Sequence, residues 1–575
     1  MQPNENLPTS KRWIVSPLVP PAVKRELHEF PPFLRQLLYN RGIQTATEAH
    51  AFMDAETVAL TDPLLLRDMD VAISLIQDAL SHAEKIAVYG DYDVDGVTAS
   101  ALLFEFFQAL GNTPRVYIPN RFDEGYGLNL EAINLLAGEG VKLLITVDCG
   151  IRSVKEVALA RSLGMNVILS DHHLPGHEIP PANAVINPRQ PGDAYPFKHL
   201  AGVGLAYKLA AAYLQAYPQP GLKAENWLDL VALGTVADLA ELTGENRALV
   251  GQGLNVIRRS SRQGLYSLAQ VSGIRLDRIT TANIGFGLGP RLNAAGRLET
   301  AMAAFQLLVS DDLYESARLA QLLDDQNAQR KNLTQQIQEK AIAGALAEGG
   351  SLPIIFAASE EFSEGVVGLA ASRVAERFYR PAIIGHQSDG LIVASCRSIK
   401  EFDITRALDE CADLLVRYGG HSMAAGLTVA NDNLPALLER LNSLASRQLA
   451  GMELTPELFI DYDIALDKLK AEHIPEIMDD VSRLEPTGVR NPEALFCSRG
   501  LRVVNPRALS DGQHLKMLLR AGINTYEGIA FRQGYWLKSL PPVVDVAYTF
   551  EINEYQGRQS LQLNIRDIRP AENPA

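Results

Sequence analysis

Three aspartates at alternate positions follow an apolar run early in the chain. The run is Ile86–Tyr89, and Asp91, Asp93 and Asp95 come after it, followed by Gly96. Three carboxylates within five residues repel one another unless a cation lies among them, and divalent cations such as Mg²⁺ and Mn²⁺ prefer oxygen ligands. We therefore interpret the segment as a buried strand, a tight metal-binding loop and the start of a helix.

Two other structures share this acidic pattern. The calcium loop of an EF-hand begins in the same way, but it needs a glutamate at its twelfth position, where this chain has Leu102, and a helix in front of it. A solvated acidic turn would not need the apolar flanks Ile86–Tyr89 and Val97–Leu110. Because buried charges must be paired or coordinate metals, the pattern favours a metal site.

Carboxylates and imidazoles also end later apolar runs. The residues at these further endings are Asp148, the triplet Asp171-His172-His173, and Asp238 after the run that begins at Val231. A single polar residue at a strand end is usually a cap, but four such endings on one sheet edge indicate a site. Carboxylates with one or two imidazoles, and without cysteine, are typical of a dinuclear Mn²⁺ or Mg²⁺ site rather than of structural zinc.

The elements that must position these residues alternate along the chain from Lys85. Apolar runs predict strands at 86–89, 115–118, 143–147, 167–169 and 184–186, and helical patterns lie at 97–110, 129–137 and 154–163. This alternation predicts an α/β fold with a parallel sheet and crossover helices. Ligands of such sheets bind beyond the carboxyl ends of the strands, where the acidic residues fall.

Length and composition limit the protein class. The chain has 575 residues, of which 47% are hydrophobic and 21% charged, as in a soluble globular protein with three or four domains. It has no run of 18 apolar residues, and its first ten residues are polar, so we expect a cytosolic protein without a membrane segment. The four cysteines form no C-x-x-C pair, which favours small buried residues over a zinc or disulfide site.

The net charge of −15 argues against indiscriminate binding of nucleic acid, which normally needs a basic face. The charge is unevenly distributed, however. From Glu241 to Glu299 there are eight arginines and four acidic residues. This local excess of positive charge could form one wall of an anion-binding groove.

The remainder of the chain divides into four further segments. Residues 1–80 predict a helical N-terminal segment. Residues 311–343 contain neither Gly nor Pro and predict a long helix, polar on all sides over 324–332, that connects two domains; a surface helix of one domain is the alternative. A second α/β pattern follows, with strands at 353–357, 382–384 and 391–395 and helices at 366–377 and 404–417. Ser395, Arg397 and Gly419-Gly420-His421 fall at the ends of a strand and a helix there, where glycine lets backbone amides approach a phosphate.

From about residue 455 the chain predicts short strands at 501–504, 514–519, 528–531, 543–550 and 559–565, hence a small β-barrel. Aromatic and basic residues interleave there and are candidates to stack on bases and meet phosphates, although each aromatic could equally belong to the core. They are Tyr526, Phe531, Tyr535, Trp536, Tyr548 and Tyr555, with Lys516, Arg532, Lys538 and Arg558.

Together these segments resemble the motifs of the DHH phosphoesterase superfamily. The matching segments are Asp91-Tyr-Asp-Val-Asp-Gly, Asp148-Cys-Gly, Asp171-His-His, Gly234-Thr-Val-Ala-Asp238 and, for the DHH-associated domain, Gly419-Gly-His421-Ser-Met-Ala-Ala-Gly426. Their order, the segment Pro290–Arg297 and the C-terminal extension resemble the bacterial RecJ family over essentially the whole chain. Arg490 departs from a small residue expected in that family. Its position suggests a turn rather than the site.

The resemblance implies a domain order and a set of roles. The order is a helical preface (1–80), a parallel-sheet DHH catalytic domain (81–300), a connecting helix (301–350), a smaller α/β DHH-associated substrate-binding domain (351–450) and an OB-fold β-barrel (455–575). Two Mg²⁺ or Mn²⁺ ions would be held by Asp93, Asp95, Asp148, His172 and Asp238, with Asp148 bridging. Asp91 and His173 would be catalytic, with His173 facing the scissile phosphate, and the second domain would hold the substrate across a cleft.

The implied activity is that of a metal-dependent 5′→3′ exonuclease that degrades single-stranded DNA to 5′-mononucleotides in recombination and DNA repair. The implied protein is a cytosolic monomer that works with single-strand-binding protein and a repair helicase. Two alternatives are a DHH phosphodiesterase that acts on short oligonucleotides or cyclic dinucleotides, and an inactive single-strand-binding scaffold. The first lacks a C-terminal barrel, and the second would not need mutually repelling carboxylates.

An exonuclease with one polarity must recognise one strand end. Arginine can grip the oxygens of a terminal 5′-phosphate bidentately. The candidates are Arg397, and Arg121, Arg291 and Arg297 near the metal edge; ion pairs with acids such as Glu124 and Glu299 are the structural alternative. We also expect a chain that ends at Leu449 to fold and to cut, but to bind long strands more weakly.

Overall fold

The computed structural model describes residues 11–54, 60–121, 123–347, 352–510, 512–555 and 558–571, and gives only the backbone of Ala471, Glu554, Tyr555, Arg558 and Gln559. The strands are β1 Arg12–Val15, β2 Lys85–Gly90, β3 Arg115–Tyr117, β4 Val141–Val147, β5 Asn166–Ser170, β6 Ala184–Ile186, β7 Ile355–Ser359, β8 Ala382–Ser388, β9 Leu391–Arg397, β10 Leu415–His421, β11 Ala424–Ala430, β12 Glu457–Ile460, β13 Tyr462–Asp463, β14 Phe496–Leu509, β15 His514–Ala521, β16 Asn524–Ala530, β17 Val543–Tyr555 and β18 Arg558–Pro570.

The helices are α1 Pro21–Glu26, α2 Pro32–Asn40, α3 Ala46–Met53, α4 Met69–Ser81, α5 Val94–Ala109, α6 Leu130–Gly138, α7 Val154–Ser162, α8 Gly202–Ala216, α9 Leu228–Ala237, α10 Gly244–Ile257, α11 Gln263–Ser272, α12 Thr281–Asn283, α13 Gly289–Leu298, α14 Met302–Val309, α15 Leu313–Ala347, α16 Glu364–Phe378, α17 Ile404–Asp409, α18 Leu434–Gln448 and α19 Ile474–Ser482. A π-helix, Ile284–Leu288, joins α12 to α13. None of the helices in these described segments is long and apolar enough to cross a membrane.

The chain divides into two compact units. The first contains His50–Arg330 and the short segment Leu484–Pro492, and the second contains Met1–Ala49, Lys331–Arg483 and Glu493–Ala575. The division falls inside α15, between Arg330 and Lys331. The domain boundaries expected from the sequence remain predictions.

The first unit is built on a five-stranded parallel sheet in the order β3-β2-β4-β5-β6. Alternate residues of each strand face opposite sides. Val88 and Ile145 pack with α4, α5, α8 and α9 on one face, and Ala87 and Leu144 pack with α6 and α7 on the other. The predicted α/β class with a parallel sheet is confirmed, and the sheet is buried on both faces as βαβ units require.

One predicted strand ending is wrong. The apolar run from Val231 is not a strand of this sheet, because it belongs to helix α9, and Asp238 is the residue that ends that helix. Helix α9 packs against α5, α8 and α10 and is buried on all sides. A helix that is apolar all round cannot be distinguished from a buried strand by periodicity.

The second unit contains a smaller sheet in the order β10-β11-β9-β8-β7, in which only β7 and β8 are parallel. The predicted helix 404–417 is shorter than expected, because α17 ends at Asp409 and the chain enters strand β10 at Leu415. Gly419, Gly420 and His421 therefore lie at the end of β10, in a hairpin with β11, and not at the end of a helix.

The C-terminal part of this unit is a barrel. Strands β14, β15, β16, β18 and β17 pair in that order, and an additional pairing of β14 with β17 closes the ring. Of the aromatic residues considered from the sequence, Tyr548 and Tyr526 are core residues, while Phe531 is exposed. The side chains of Tyr555 and Arg558 lie outside the described residues. The N-terminal segment also contributes a strand that the sequence analysis does not predict, β1, which pairs with β12.

The long helix α15 differs from its prediction in burial. Leu319 and Leu323 join the core of the first unit, and Ile337 and Ala341 join a core of the second. Gln326 is also buried, because its amide donates to Glu299 Oε2 at 3.0 Å. The helix is therefore not polar and solvated on all sides. All four cysteines are buried, as predicted.

Candidate active site

The acidic loop is shaped by the start of α5. Asp93 is the N-cap of this helix, and its Oδ1 accepts hydrogen bonds from the amides of Asp95 at 2.9 Å and Gly96 at 3.2 Å. Gly96 has no room for a side chain, since a Cβ there would lie 2.5 Å from the carbonyl oxygen of Asp91. The glycine in the motif therefore allows strand β2 to turn directly into the helix.

Asp95 is oriented by a second helix. Its Oδ2 accepts from the Gly202 amide at 2.6 Å, and its Oδ1 accepts from the Val203 amide at 2.7 Å. These amides are at the N-terminus of α8, which favours a negative charge. The carboxylate is fully buried, and this helix end fixes its direction.

Asp148 and His172 face each other at the carboxyl ends of β4 and β5. Asp148 has a left-handed backbone (φ 61°), which is rare for residues other than glycine and marks strain at functional sites. His172 Nε2 lies 3.0 Å from Asp148 Oδ1, 3.8 Å from Asp95 Oδ2 and 3.9 Å from Asp238 Oδ2. Asp238 enters from the end of α9, so strand ends and a helix end meet at one point.

Several polar atoms at this point lack hydrogen bonds. Within the described part of the chain, Asp91 Oδ1, Asp148 Oδ1 and His172 Nε2 are buried and form no hydrogen bond of good geometry, although the last two atoms lie 3.0 Å apart. Buried polar groups are nearly always paired, so these converging atoms fit a cation site. The donor set of carboxylates and imidazole suits Mg²⁺ or Mn²⁺.

Three groups of side chains have ligand atoms within 4.8 Å of one another. They are Asp91, Asp93 and Asp148; Asp95, His172 and Asp238; and Asp148, His172 and His173. Asp148 and His172 each belong to two of these groups, and of the two only the carboxylate has a second ligand atom with which it could bridge two ions. The structure places Asp91 inside a ligand group, whereas the sequence analysis places it beside the ions.

The electrostatics agree with a cation site. Burial, and then the neighbouring Asp95 and Asp93, raise the pKa of Asp148 well above its usual value. Burial followed by Asp95 raises the pKa of Asp238 to about 9, and burial followed by Asp93 raises the pKa of Asp95 to about 7. Burial lowers the pKa of His172 to about 3, so this imidazole is neutral and able to ligate.

His173 is held differently from His172. Its Nδ1 lies 2.7 Å from Asp171 Oδ1 and 3.2 Å from the hydroxyl of Tyr126. Burial would lower the pKa of His173, but the hydrogen bond with Asp171 raises it above its usual value. Asp171 is fixed in turn by the amides of Ile151 and His173. The half-exposed ring therefore presents its Nε2 edge away from Asp171.

The segment Pro290–Arg297 supports the acidic loop. Asn293 Oδ1 accepts from the Val94 amide at 3.2 Å, and a Cβ added at Gly296 would lie 2.7 Å from the Tyr92 carbonyl oxygen. Arg121 lies over the ring of Tyr92 at 5.4 Å.

The three arginines predicted in this unit have different surroundings. Burial, and then Arg121 and Arg330, lower the pKa of Arg297 to about 10, so these guanidinium groups form a cluster of like charge beside the loop. Such a cluster is suited to an anion. Arg291 instead donates to Asp324 at 2.8 Å and to the Gly287 carbonyl at 2.8 Å.

Sequence reasoning missed four residues at this site: Asn293, Tyr126, Arg189 and Arg330. Arg189 lies near His172 and lowers the pKa of Asp238. Tyr126 and Arg189 lie in loops outside the recognised motifs, and their spacing gives no signal. Asn293 lies inside a segment that was singled out, so it could have been proposed.

The predicted substrate residues of the second unit share three neighbouring strands. Gly419 on β10 is paired with Gly426 on β11, which is paired with Ser395 on β9. Two residues further along the strands, His421 is paired with Ala424, which is paired with Arg397. Arg397 donates to Ser372 Oγ at 3.1 Å, and Gly368 of α16 lies against it, since a Cβ there would be 3.2 Å from the guanidinium group.

Three family models match the chain. The DHH family N-terminal domain matches residues 85–235, the DHHA1 domain residues 351–447 and the RecJ OB domain residues 460–567.

Relatives and solved structures match over most of the chain. The chain is 36% identical over 556 residues to the single-stranded-DNA-specific exonuclease RecJ of Bacillus subtilis, covering 96% of this chain and 69% of the relative. It is 35% identical to the exonuclease of the same name from Escherichia coli, covering 94% of this chain and 96% of that one. The crystal structure of RecJ with Mn²⁺ from Thermus thermophilus superposes with a TM-score of 0.83 at 32% identity, covering 98% of this chain and 80% of the other. A Mg²⁺ complex of that protein gives 0.77 at 30% identity, with 98% and 79% covered.

Proposed function

The chain belongs to the RecJ family of single-stranded-DNA-specific exonucleases, and from this membership we propose that it removes mononucleotides in succession from the 5′ end of a single strand. It is a DNA exonuclease that uses Mg²⁺ or Mn²⁺. The observation that carries the proposal is the convergence of buried, unpaired carboxylate and imidazole atoms at the carboxyl edge of a parallel sheet.

Six side chains would hold two ions: Asp91, Asp93, Asp95, Asp148, His172 and Asp238. When bound, Mg²⁺ or Mn²⁺ supplies Lewis-acid polarisation of the phosphate oxygens and activation of water. One group of ligand atoms contains Asp91, Asp93 and Asp148, and another contains Asp95, His172 and Asp238. Asp148 belongs to the first group and lies 3.0 Å from His172 of the second. This position supports Asp148 as the ligand that would bridge two ions.

His173 would act on the substrate itself. Asp171 holds the Nδ1 side of the ring, which leaves Nε2 to hold a proton toward a phosphate oxygen. Asp171 and Tyr126 keep the ring in one orientation and would thereby position it.

Recognition of the 5′ end would fall to arginines. In the first unit the candidates are Arg121 and Arg297. In the second unit the candidate is Arg397, with Ser395 and the hairpin Gly419–His421 beside it. Arg291 is a weaker candidate than the sequence indicates, because it binds Asp324 and a backbone carbonyl. We assign it to the support of α13.

The cellular setting is also a proposal. Single-stranded DNA is the substrate, and the RecJ OB domain match is consistent with binding it. We infer a cytoplasmic monomer that acts in repair and recombination with a single-strand-binding protein and a helicase. The oligonucleotide or cyclic-dinucleotide phosphodiesterase and the inactive scaffold are disfavoured by relatives that match nearly the whole chain, barrel included.

The test follows a single strand that carries radioactive phosphate at the 5′ end in one sample and a label at the 3′ end in another. With the full-length protein and Mn²⁺ or Mg²⁺, we expect immediate release of the 5′ label as a mononucleotide and slow shortening of the 3′-labelled strand. Duplex of the same sequence should resist, and the Asp148→Asn protein should be inert, which controls for contaminating nucleases. Release that begins at the 3′ end would contradict the proposed polarity.

A further inference from the structure

An aromatic side chain close to the metal centre is almost fully exposed. Phe286 is 87% exposed, and among the large apolar side chains of the described segments only Ile523 is more so. Single exposed apolar residues are common on protein surfaces. Exposure alone therefore does not make a site, and the backbone that presents Phe286 and its surroundings must supply the argument.

The backbone at Phe286 departs from the α-helix. In an α-helix the amide of residue 290 would donate to the Phe286 carbonyl, but proline has no N–H and its ring would clash with that carbonyl. The Gly289 amide instead donates to the Ile284 carbonyl, five residues back, and the segment is a π-helix. Such π-helical turns occur frequently at functional sites.

Two glycines, Gly285 and Gly287, flank Phe286, and Gly287 packs closely on a neighbouring side chain. A Cβ at Gly287 would lie 2.4 Å from Ile274 Cδ1, so a side chain at this position would require the end of Ile274 to move. Arg291 satisfies the Gly287 carbonyl at 2.8 Å. The turn is therefore supported from within the protein, while the phenyl ring that it carries contacts solvent.

The π-helix packs on the end of the helix that carries Asp238. A Cβ added at Gly289 would lie 3.3 Å from Ala237 Cβ, and Asp238 follows Ala237. From backbone spacing, Phe286 lies within about 15 Å of Asp238, a few nucleotides from the metal centre. Leu239, which follows Asp238 with a left-handed backbone (φ 60°), is 70% exposed. Two exposed apolar side chains thus lie near the end of the helix that carries Asp238.

We propose that Phe286 stacks on an unpaired nucleobase of the DNA strand whose end lies at the metal centre, and that it contributes to the preference for single strands. An exposed ring binds any base through its π-face, whereas the bases of a duplex are already stacked on each other. Arg121, Arg297 and Arg330 lie close together beside the acidic loop, and this group of positive charges favours a polyanion at the centre. This inference rests on the proposed function.

The test measures binding of single strands to the full-length protein in chelator, so that nothing is cut. An abasic site is moved along the strand one position at a time. For the wild type we expect an abasic site at one position to weaken binding roughly 5- to 150-fold, the range of one base–aromatic stack. Phe286→Ala should weaken binding of the intact strand by the same factor and become insensitive to the abasic site at that position.

Three further variants separate stacking from general apolar contact. Phe286→Trp should retain wild-type affinity and sensitivity, whereas Phe286→Leu, which keeps apolar bulk but has no ring, should behave like Phe286→Ala. Tyr314→Ala removes another exposed aromatic, 83% exposed near the start of α15, and should change nothing.

The inference is overturned if, at every position of the abasic site, the loss of affinity from Phe286→Ala and the loss from the abasic site are independent and therefore multiply. It is also overturned if Phe286→Leu binds the intact strand as tightly as the wild type does. Cleavage of the intact strand by the wild type with Mn²⁺ is measured in parallel. A wild-type protein that does not cut removes the proposed function. If the wild type cuts but Phe286→Ala and the abasic site act independently, only the role of Phe286 is removed.

Discussion

The backbone of Gly202 lies against the side chain of Asp148. A Cβ added at Gly202 would be 2.6 Å from Asp148 Cβ and 3.0 Å from Asp148 Cγ, which is closer than such atoms approach in proteins. The amide of the same glycine donates to Asp95 at 2.6 Å. The absence of a side chain at this one position therefore lets the N-terminus of α8 reach two carboxylates of the metal centre.

Gly202→Ala should consequently displace Asp148 and weaken metal binding. We expect the rise in melting temperature that saturating Mn²⁺ gives the wild type to be mostly lost, and cleavage to fall more than about tenfold, as for losses of groups behind a metal ligand. Gly204→Ala on the same helix is the matched control, because its Cβ would make an ordinary contact of 3.5 Å with Leu200. A Gly202→Ala protein with normal Mn²⁺ stabilisation would contradict this explanation.

Asp148→Asn should abolish cleavage and preserve binding of single strands in chelator. The substitution keeps the shape of the side chain but removes the charge that we place between two ions, so we expect a loss greater than about 100-fold. Initial rates on a 5′-labelled strand measure it. The exposed Asp277, paired with Arg275, provides the control variant Asp277→Asn. Activity within tenfold of wild type would exclude Asp148 as the bridging ligand.

The acidic loop and the strand-end residues could be predicted because they rest on local rules. Alternating carboxylates repel, and parallel strands place their carboxyl ends on one edge. The direction of each carboxylate could not be predicted in this way. Asp95 faces the amides of Gly202 and Val203, which are more than 100 residues away in the chain. Asp91 lies beside Asp148, which comes from another strand of the sheet.

Two features were missed because tertiary packing overrides periodicity. The run that ends at Asp238 is apolar at every position, which suits both a buried strand and the buried helix that it forms. In the long helix, the polar residue Gln326 is buried, and Glu299 accepts a hydrogen bond from its amide. The spacing of residues along the chain predicts neither the packing of the helix that ends at Asp238 nor the pairing of Gln326 with Glu299.

The metal-free protein should lose stability as pH rises. The pKa values of Asp91, Asp95, Asp148 and Asp238 are raised in the folded state, to about 7 for Asp95 and about 9 for Asp238, chiefly by burial and then by neighbouring aspartates. Above pH 4 the unfolded chain has released protons that the folded chain still holds, so stability decreases through the window from about pH 4 to 9.

Mn²⁺ takes the place of those protons, and its stabilising effect should therefore grow with pH. We expect the increase in melting temperature at saturating Mn²⁺ to be at least about 5 °C larger at pH 8.5 than at pH 6. Thermal unfolding with and without chelator measures the difference. The Asp148→Asn protein is the control, and an increase independent of pH would contradict the assignment.

Arg397→Ala should reduce the preference for a 5′-phosphate over a 5′-hydroxyl. Hydrogen bonds to a charged group contribute about 1.5–3 kcal/mol, so we expect the preference to fall about 10- to 100-fold, mainly through the Michaelis constant. Matched strands with either end measure the ratio. Arg440→Ala, which removes an exposed pair with Asp413, should leave the ratio unchanged. An unchanged ratio in Arg397→Ala would move the assignment to Arg121 or Arg297.

The last prediction concerns the segment Leu484–Pro492. It belongs to the first unit, although the chain directly before it and directly after it belongs to the second unit. Arg247 is buried there, and its guanidinium group donates to the carbonyls of Leu484 at 2.9 Å, Glu485 at 2.8 Å and Pro486 at 3.0 Å. The group also lies 3.7 Å from the centroid of the Phe52 ring.

A chain that ends at Leu449 loses these three acceptors, so we expect it to fold, as predicted from the sequence, but to be less stable than a chain that keeps them. Removing hydrogen-bond acceptors from a buried charged group costs at least about 1–3 kcal/mol. The Nε donor keeps the Phe52 carbonyl at 3.0 Å. We expect the chain ending at Leu449 to melt below one ending at Pro492, which keeps the three acceptors. In an Arg247→Leu background the difference should shrink, because no buried guanidinium group then loses acceptors. Urea unfolding of the four proteins gives the coupling directly, and equal stability of the two truncations with Arg247 present would show that the guanidinium group finds other acceptors.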